Sequence, residues 1–429
     1  ATVTTASVTT AAGNLNVGPF TSSGTTAFTA NGAGANLVTS GTINSGAGNL
    51  TFTAGGTGAA DVRINNNVTT TGVLSVSAGA AAGSDVTLAP GVAVNSGSAT
   101  ITTPTLNLGA NAQLRANTGN LTVDSNSPAG NVLNVSLGAN ATLLSSTNVN
   151  FNLAGAANEG PITVTGATGS LVQAPNINYN LGPSDLNIDV GELRGCNNIF
   201  GVGGNPTSVG FVTQAGIIDF CTPINTSNPA GNGGNINVVA NGGAVNLGGF
   251  DVNANGGGAV GNGGSINISA AGGISNGGNI TSNGSATGSG NGGAIGLTAP
   301  GANNIVVSTL QSGGGALGGN GGSITTNSSN LSVTGIGPTG DSISASAPNG
   351  NGGIISVTTT STNPFVAGSP FPNGTASGIA ANGGNGNGGS VIISSNGAGV
   401  LAGVTVSANG SATGSGGVVT LNANNPATA

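Results

Sequence analysis

The chain contains no histidine, lysine, methionine or tryptophan, and only one tyrosine, ten phenylalanines and two cysteines in 429 residues. Each shortage excludes something. Without Trp and Met, and with so few rings, a broad globular core lacks the bulky side chains that normally fill it. Any core must be thin and made of Val, Ile, Leu and Ala. The cations are Arg63, Arg115 and Arg194, set against ten acidic residues for a formal net charge of −7. Nucleic-acid binding by phosphate neutralisation needs clustered Lys and Arg, so no nucleic-acid partner is expected. Charged residues make up 3% of the chain, too few for a charge-driven disordered polymer. A transmembrane helix takes roughly 20 consecutive apolar residues, whereas the aliphatics here come in twos and threes, so no membrane span is expected.

The cysteines, Cys196 and Cys221, read as one disulfide, with a pair of buried free thiols as the other reading. Zinc needs four ligands, and neither His nor a third Cys is there to complete a set. No cofactor or metal is expected. The start, Ala1-Thr2-Val3-Thr4-Thr5, has neither a basic region nor an apolar stretch. With a disulfide in so uncharged a chain, Ala1 reads as a processed N-terminus after signal-peptide removal, and the expected location is extracellular or at a cell surface.

What is abundant is glycine, 84 residues, and much of it is periodic. Gly-Asn/Ser-Gly-Gly begins at Gly231, Gly261, Gly290, Gly319, Gly350, Gly386 and Gly414. Five residues after each start stands Ile236, Ile266, Ile295, Ile324, Ile355, Val391 or Val419, and two further on the residue is aliphatic in every copy except Thr326. Side chains at i and i+2 share one face of a pleated strand, so each repeat opens a strand. Two more such pairs follow in the first unit, Val245 with Leu247 and Phe250 with Val252. No helical apolar period is present, and Gly, Asn, Ser and Thr all disfavour helix.

A unit of about 30 residues holding three short strands cannot bury its own apolar face, and stacking the units does so. The expected fold is therefore all-β: a right-handed parallel β-helix with ~30-residue coils, roughly 14 of them and about 65 Å long at one strand spacing per coil. The seven β-branched positions form a core ladder along its axis. The N-terminal part, 1–158, has the same texture with looser spacing: Leu108-Gly109-Ala110-Asn111 recurs as Leu137-Gly138-Ala139-Asn140. Between 159 and 230 the repeat is lost, and this stretch holds both cysteines, Tyr179, Phe200, Phe211 and Phe220. It is expected to be an irregular insertion fastened by the disulfide, followed by the regular solenoid of 231–429.

The recurring Gly-Asn-Gly-Gly-x-Ile-x-Val/Ile/Leu, as in Gly231 to Val238 and Gly261 to Ile268, resembles the repeats of filamentous-haemagglutinin-like exoproteins. These form right-handed parallel β-helices at bacterial surfaces. Gly/Asn-rich surface-filament and S-layer subunits are similar in composition. The resemblance implies a surface exoprotein and covers the seven copies from 231 to 421.

Catalytic readings are weak. Asp185, Asp189 and Glu192 with Arg194 are the closest acids, and they read as solvated loop charges with a local ion pair rather than as paired catalytic carboxylates or a Ca²⁺ loop. Gly383-Gly384-Asn385-Gly386-Asn387-Gly388 has Gly388 where calcium-binding nonapeptide repeats carry Asp, so it reads as turn. Thr-x-Thr pieces such as Thr2-Val3-Thr4 and Thr163-Val164-Thr165 would bind ice only on one flat Thr-lined face repeated coil after coil. The aligned columns are aliphatic, so this reading is set aside.

The chain is thus expected to be no enzyme but a structural subunit. It would polymerise head to tail with itself, through open sheet edges and an N-terminal arm containing Thr2, Val3, Thr4 and Val8. An adhesin stalk with its binding tip in 159–230, meeting surface glycans or other cell surfaces, is the second reading. A carbohydrate-active β-helix enzyme is the third.

Overall fold

Alternating apolar and polar residues after each turn become short parallel strands in the computed structural model. It describes residues 4–56, 58–81, 83–125, 132–153, 160–201, 204–275, 277–335, 337–338, 340–361, 365–367, 378–396, 400–402 and 405–423. Among these there is no helix. The chain is a parallel β-solenoid of about 13 turns, averaging ~27 residues per coil. It divides into two compact units, Ala1–Gly204 and Asn205–Ala429.

In the first unit a coil carries three strands, for example Leu50–Ala54, Val62–Ile64 and Val68–Thr69. Each pairs with its equivalent one coil on, through Leu50↔Leu74, Val62↔Val86 and Val68↔Val94. Strands of the first sheet bury alternate residues, so Phe28 and Phe52 are 3% and 0% exposed. Their rings stack with centroids 5.8 Å apart and planes 16° apart. Burying each such side chain contributes about 1.5–3 kcal/mol. Coils here are shorter than thirty residues: Thr26, Leu50 and Leu74 are successive partners, 24 apart. Later, Leu121, Val149 and Ile177 are 28 apart. The 29-residue recurrence is one such coil, with Leu108 paired to Leu137. Its asparagines Asn111 and Asn140 both take φ 57°, the left-handed turn conformation that Asn tolerates, and Asn140 Nδ2 donates to Asn111 Oδ1 at 3.3 Å.

In the second unit Ile236, Ile266, Ile295, Ile324, Ile355, Val391 and Val419 are successive register partners in one column. Their spacings are those of the Gly-Asn/Ser-Gly-Gly corner, and the corner itself shows why. The Asn Oδ1 accepts the backbone N–H of its successor one coil on: Asn232 from Asn262 (2.9 Å), Asn262 from Asn291 (2.7 Å) and Asn291 from Asn320 (2.7 Å). The chain of bonds continues through Asn351 and Asn387 to Ser415. The last glycine is there because backbones touch. A Cβ on Gly293 would sit on the carbonyl oxygen of Gly264, and one on Gly264 on that of Gly234.

The segment 159–230 is not an insertion. Glu159 lies outside the described residues, but Ile162–Gly166 pairs with Leu133–Leu137 and with Leu186–Asp189. Likewise Leu171–Leu181 pairs along Asn148–Asn152, and in the second unit Ser208–Ala215 pairs with Asn235–Ala240. The repeat disappears from the sequence because corners here are turned within long strands. Asp185–Gly201 runs 17 residues, with a register shift between Gln173 and Asn176 in the strand beneath it. The boundary between compact units falls at 204/205, not at 158/159 or 230/231.

Candidate functional site

The inward column of the first sheet is aliphatic and aromatic, and its outward neighbours are another matter. Ser7, Ala27, Thr51, Ser75, Thr100 and Thr122 are successive partners on one outward column. Thr9, Thr29, Thr53, Ser77 and Thr102 form the column beside it. The pleat puts them outside because their in-between neighbours are core. The strand burial reads buried–intermediate–buried in Thr26–Ala30 and Leu50–Ala54. The aliphatic columns read from the sequence are therefore only the inner half of each strand. The outer half carries the Thr-lined face that the sequence reading set aside. The signal was present as Thr-x-Thr or Ser-x-Ser after Leu50, Leu74 and Ala99, at offsets of 24 and 25, and a search at a period of 30 passes over it.

Along the same face the hydroxyls give way to amides. Asn150 donates to Thr122 Oγ1 at 3.1 Å, Asn178 to Asn150 at 2.7 Å and Asn198 to Asn178 at 3.0 Å. Flanking ladders run Asn176 to Asn148 to Asn120, and Asn180 to Asn152 to Asp124. Each amide bonds its stacked copy, so this stretch satisfies itself.

The ionisable groups do not converge. Among the described residues no group of three His, Cys, Asp or Glu could hold a metal ion. Arg194 forms a bidentate pair with Glu192, Nε–Oε1 2.8 Å and Nη2–Oε2 2.9 Å, and this pairing raises the guanidinium pKa. Asp189 stacks on Thr165 in a different strand column. Arg115 stacks on Leu144 and Leu144 on Gln173, and these three line a shallow groove across successive coils. Sequence reading passed over one acidic pair. Asp85 N–H donates to Asp61 Oδ1 at 3.2 Å, one coil apart, with Arg63 on Asp61 at 3.1 Å. Burial, then the neighbouring Asp61 charge, raises the Asp85 carboxyl above its usual range. Burial likewise raises Asp124.

No family model matches this chain, and no curated protein or solved structure is similar to it.

Cys196 and Cys221 are both disulfide-bonded. The aromatics assigned to a binding tip are mostly core instead: Tyr179 and Phe211 are 0% exposed and Phe220 1%. Tyr179 stacks on Phe151 at 5.5 Å, and burial pushes its phenol pKa far up. Only Phe200 of the four is exposed. Of the proposed arm, Thr2 and Val3 lie outside the described residues and Thr4 is exposed. Val8 belongs to the strand Ala6–Thr10, which pairs with Thr26–Ala30 of its own chain. Val8 stacks over Phe28 yet is 41% exposed. In the second unit the strand Val418–Ala423 has the same character. Val419 and Leu421 continue the columns of Val391 and Ile393, which are 0% exposed, but are themselves 43% and 46% exposed.

Proposed function

We propose that the chain is a structural subunit of an extracellular filament or matrix fibre, in which copies stack head to tail. The observation that carries this reading is the unbroken parallel register of the fold, in which each strand of the column from Ile236 to Val419 is completed by its counterpart one coil on. A second copy can supply such a counterpart, since the inward positions Val419 and Leu421 have the same two-residue spacing as Ala6, Val8 and Thr10. A parallel strand added in this register gains a ladder of backbone hydrogen bonds and continues both apolar columns. A heterologous contact of that kind repeats without closing. The disulfide supports an oxidising, extracytoplasmic setting.

Sedimentation and electron microscopy of the purified chain test this. Periodic fibres or concentration-dependent assembly are expected, and Val419→Asp with Leu421→Asp should leave folded monomers. Monomers of the unaltered chain at high concentration would overturn the reading.

A further inference from the structure

The outward hydroxyl columns of the first unit have no role in that stacking, which uses strand edges and core positions. Within the chain, Ser77 Oγ bonds the Ala78 carbonyl at 3.4 Å and Thr122 Oγ1 accepts from Asn150. The hydroxyls of Thr29, Thr51, Thr53, Ser75, Thr100 and Thr102 make no comparable bond among the described residues and stand on half-exposed side chains. Elsewhere the same fold does spend its hydroxyls. Ser282 and Ser312 bond the carbonyls of Gly264 and Gly293, and Thr103 Oγ1 bonds that of Thr105. On this face the free hydroxyls recur rung after rung in two adjacent columns.

That face is a lattice. Register from Ser7 to Thr122 runs without a bulge. Neighbours along each column are therefore about 4.8 Å apart, and the two columns about 6.6 Å apart, twice the rise per residue. Threonine is stiff at χ1, and the pleat holds the hydroxyls and methyls of Thr29, Thr51, Thr53, Thr100 and Thr102 at regular positions, with Ala27, Ser75 and Ser77 as smaller members of the same columns. Behind the face the stacked Phe28 and Phe52 rings fill the core, so the surface cannot fold inward. No charge interrupts it until Asp124, beyond Thr102. It presents no aromatic ring on which a sugar could stack, since Phe28 and Phe52 point inward.

A rigid, uncharged two-dimensional grid of hydroxyls and methyls, bonded to the protein only at Ser77 and Thr122 among the described residues, is matched by a ligand that is itself a lattice of hydrogen-bonding oxygens. We propose that this face binds ice, with the methyls seated between, and the hydroxyls bonded to, waters ordered in the crystal repeat.

The test is partition of the purified chain into a slowly growing ice probe, together with inhibition of ice recrystallisation. The unaltered chain is expected in the ice fraction. Thr53→Lys with Thr100→Lys, on outward half-exposed positions that leave the core intact, should lose partition and inhibition while circular dichroism stays unchanged. Thr53→Val with Thr100→Val, which keeps the branched shape, should weaken both less. Thr325→Lys, outward on a strand of the second unit, should change neither. Exclusion of the unaltered chain from ice, or equal uptake of the Lys variant, would overturn the proposal. So would a dimer in sedimentation that the Lys variant dissolves, because a second copy would then cover the face. Fibre formation is read separately, so either idea can fail alone.

Discussion

The two units solve one problem with different corners. In Ala1–Gly204, coils of 20 to 29 residues turn on glycines and on the positive-φ asparagines Asn111 and Asn140, and the core includes stacked rings. In Asn205–Ala429, coils of 26 to 36 residues turn on Gly-Asn/Ser-Gly-Gly, and the column from Ile236 to Val419 is aliphatic. The first unit also brings backbone against backbone at glycines such as Gly48, Gly56 and Gly97, but its corners differ from coil to coil and ring volume is added inside. The second reuses one glycine contact at each Gly-Asn/Ser-Gly-Gly corner and locks it with an Asn-to-backbone bond. Sequence regularity therefore measures how uniformly one corner is reused, not how regular the solenoid is.

The largest effect expected from this contrast is in the first unit. Phe52 lies between Phe28 and Val76 in the inward column and is fully buried, so Phe52→Ala leaves a ring-sized void worth about 3–5 kcal/mol. Denaturant unfolding, or hydrogen exchange across 26–77, measures it. Little loss would mean that ring packing does not carry the first unit.

The next effect belongs to the second unit. Gly293→Ala drives a methyl into the Gly264 carbonyl, an overpacking cost at or above the upper end of about 1–3 kcal/mol. Gly18→Ala, where a Cβ meets nothing within 4 Å, should stay within about 0.5 kcal/mol of zero. Equal costs at the two glycines would dissolve the distinction between packed and open corners.

That distinction also explains what was legible. The column from Ile236 to Val419 is visible in the sequence because the same Gly-Asn/Ser-Gly-Gly corner stands five residues before each of its members, and parallel stacking follows from it. The coils of 160–201 were not visible, because Asp185–Gly201 turns its corners within a strand at the single glycines Gly191 and Gly195 rather than at a Gly-Asn-Gly-Gly run. Tyr179 looked like a surface ring because it is the only tyrosine, and nothing local showed that Phe151 lies beneath it one coil earlier. The outward Thr columns were missed for a simpler reason. A period taken from the second unit was applied to a unit whose coils are shorter.

The smallest effect probes the join between hydroxyl and amide ladders in the first unit. Asp124 follows Thr102 in its column and accepts from Asn152 Nδ2 at 2.7 Å. Burial raises its pKa and the Asn152 bond only partly offsets that. The folded chain therefore keeps a proton that the unfolded chain has lost, between the unfolded value of about 3.9 and the higher folded one. Where the folded state binds more protons, stability falls as pH rises. The penalty is absent below the unfolded pKa and complete above the folded one. Asp124→Asn keeps the acceptor for Asn152 and removes the charge. It should raise the unfolding midpoint at pH 7 and leave it unchanged near pH 3. A midpoint that falls at pH 7 would show that the carboxylate strengthens the ladder, and that the join needs a charge where the rest of the face has none.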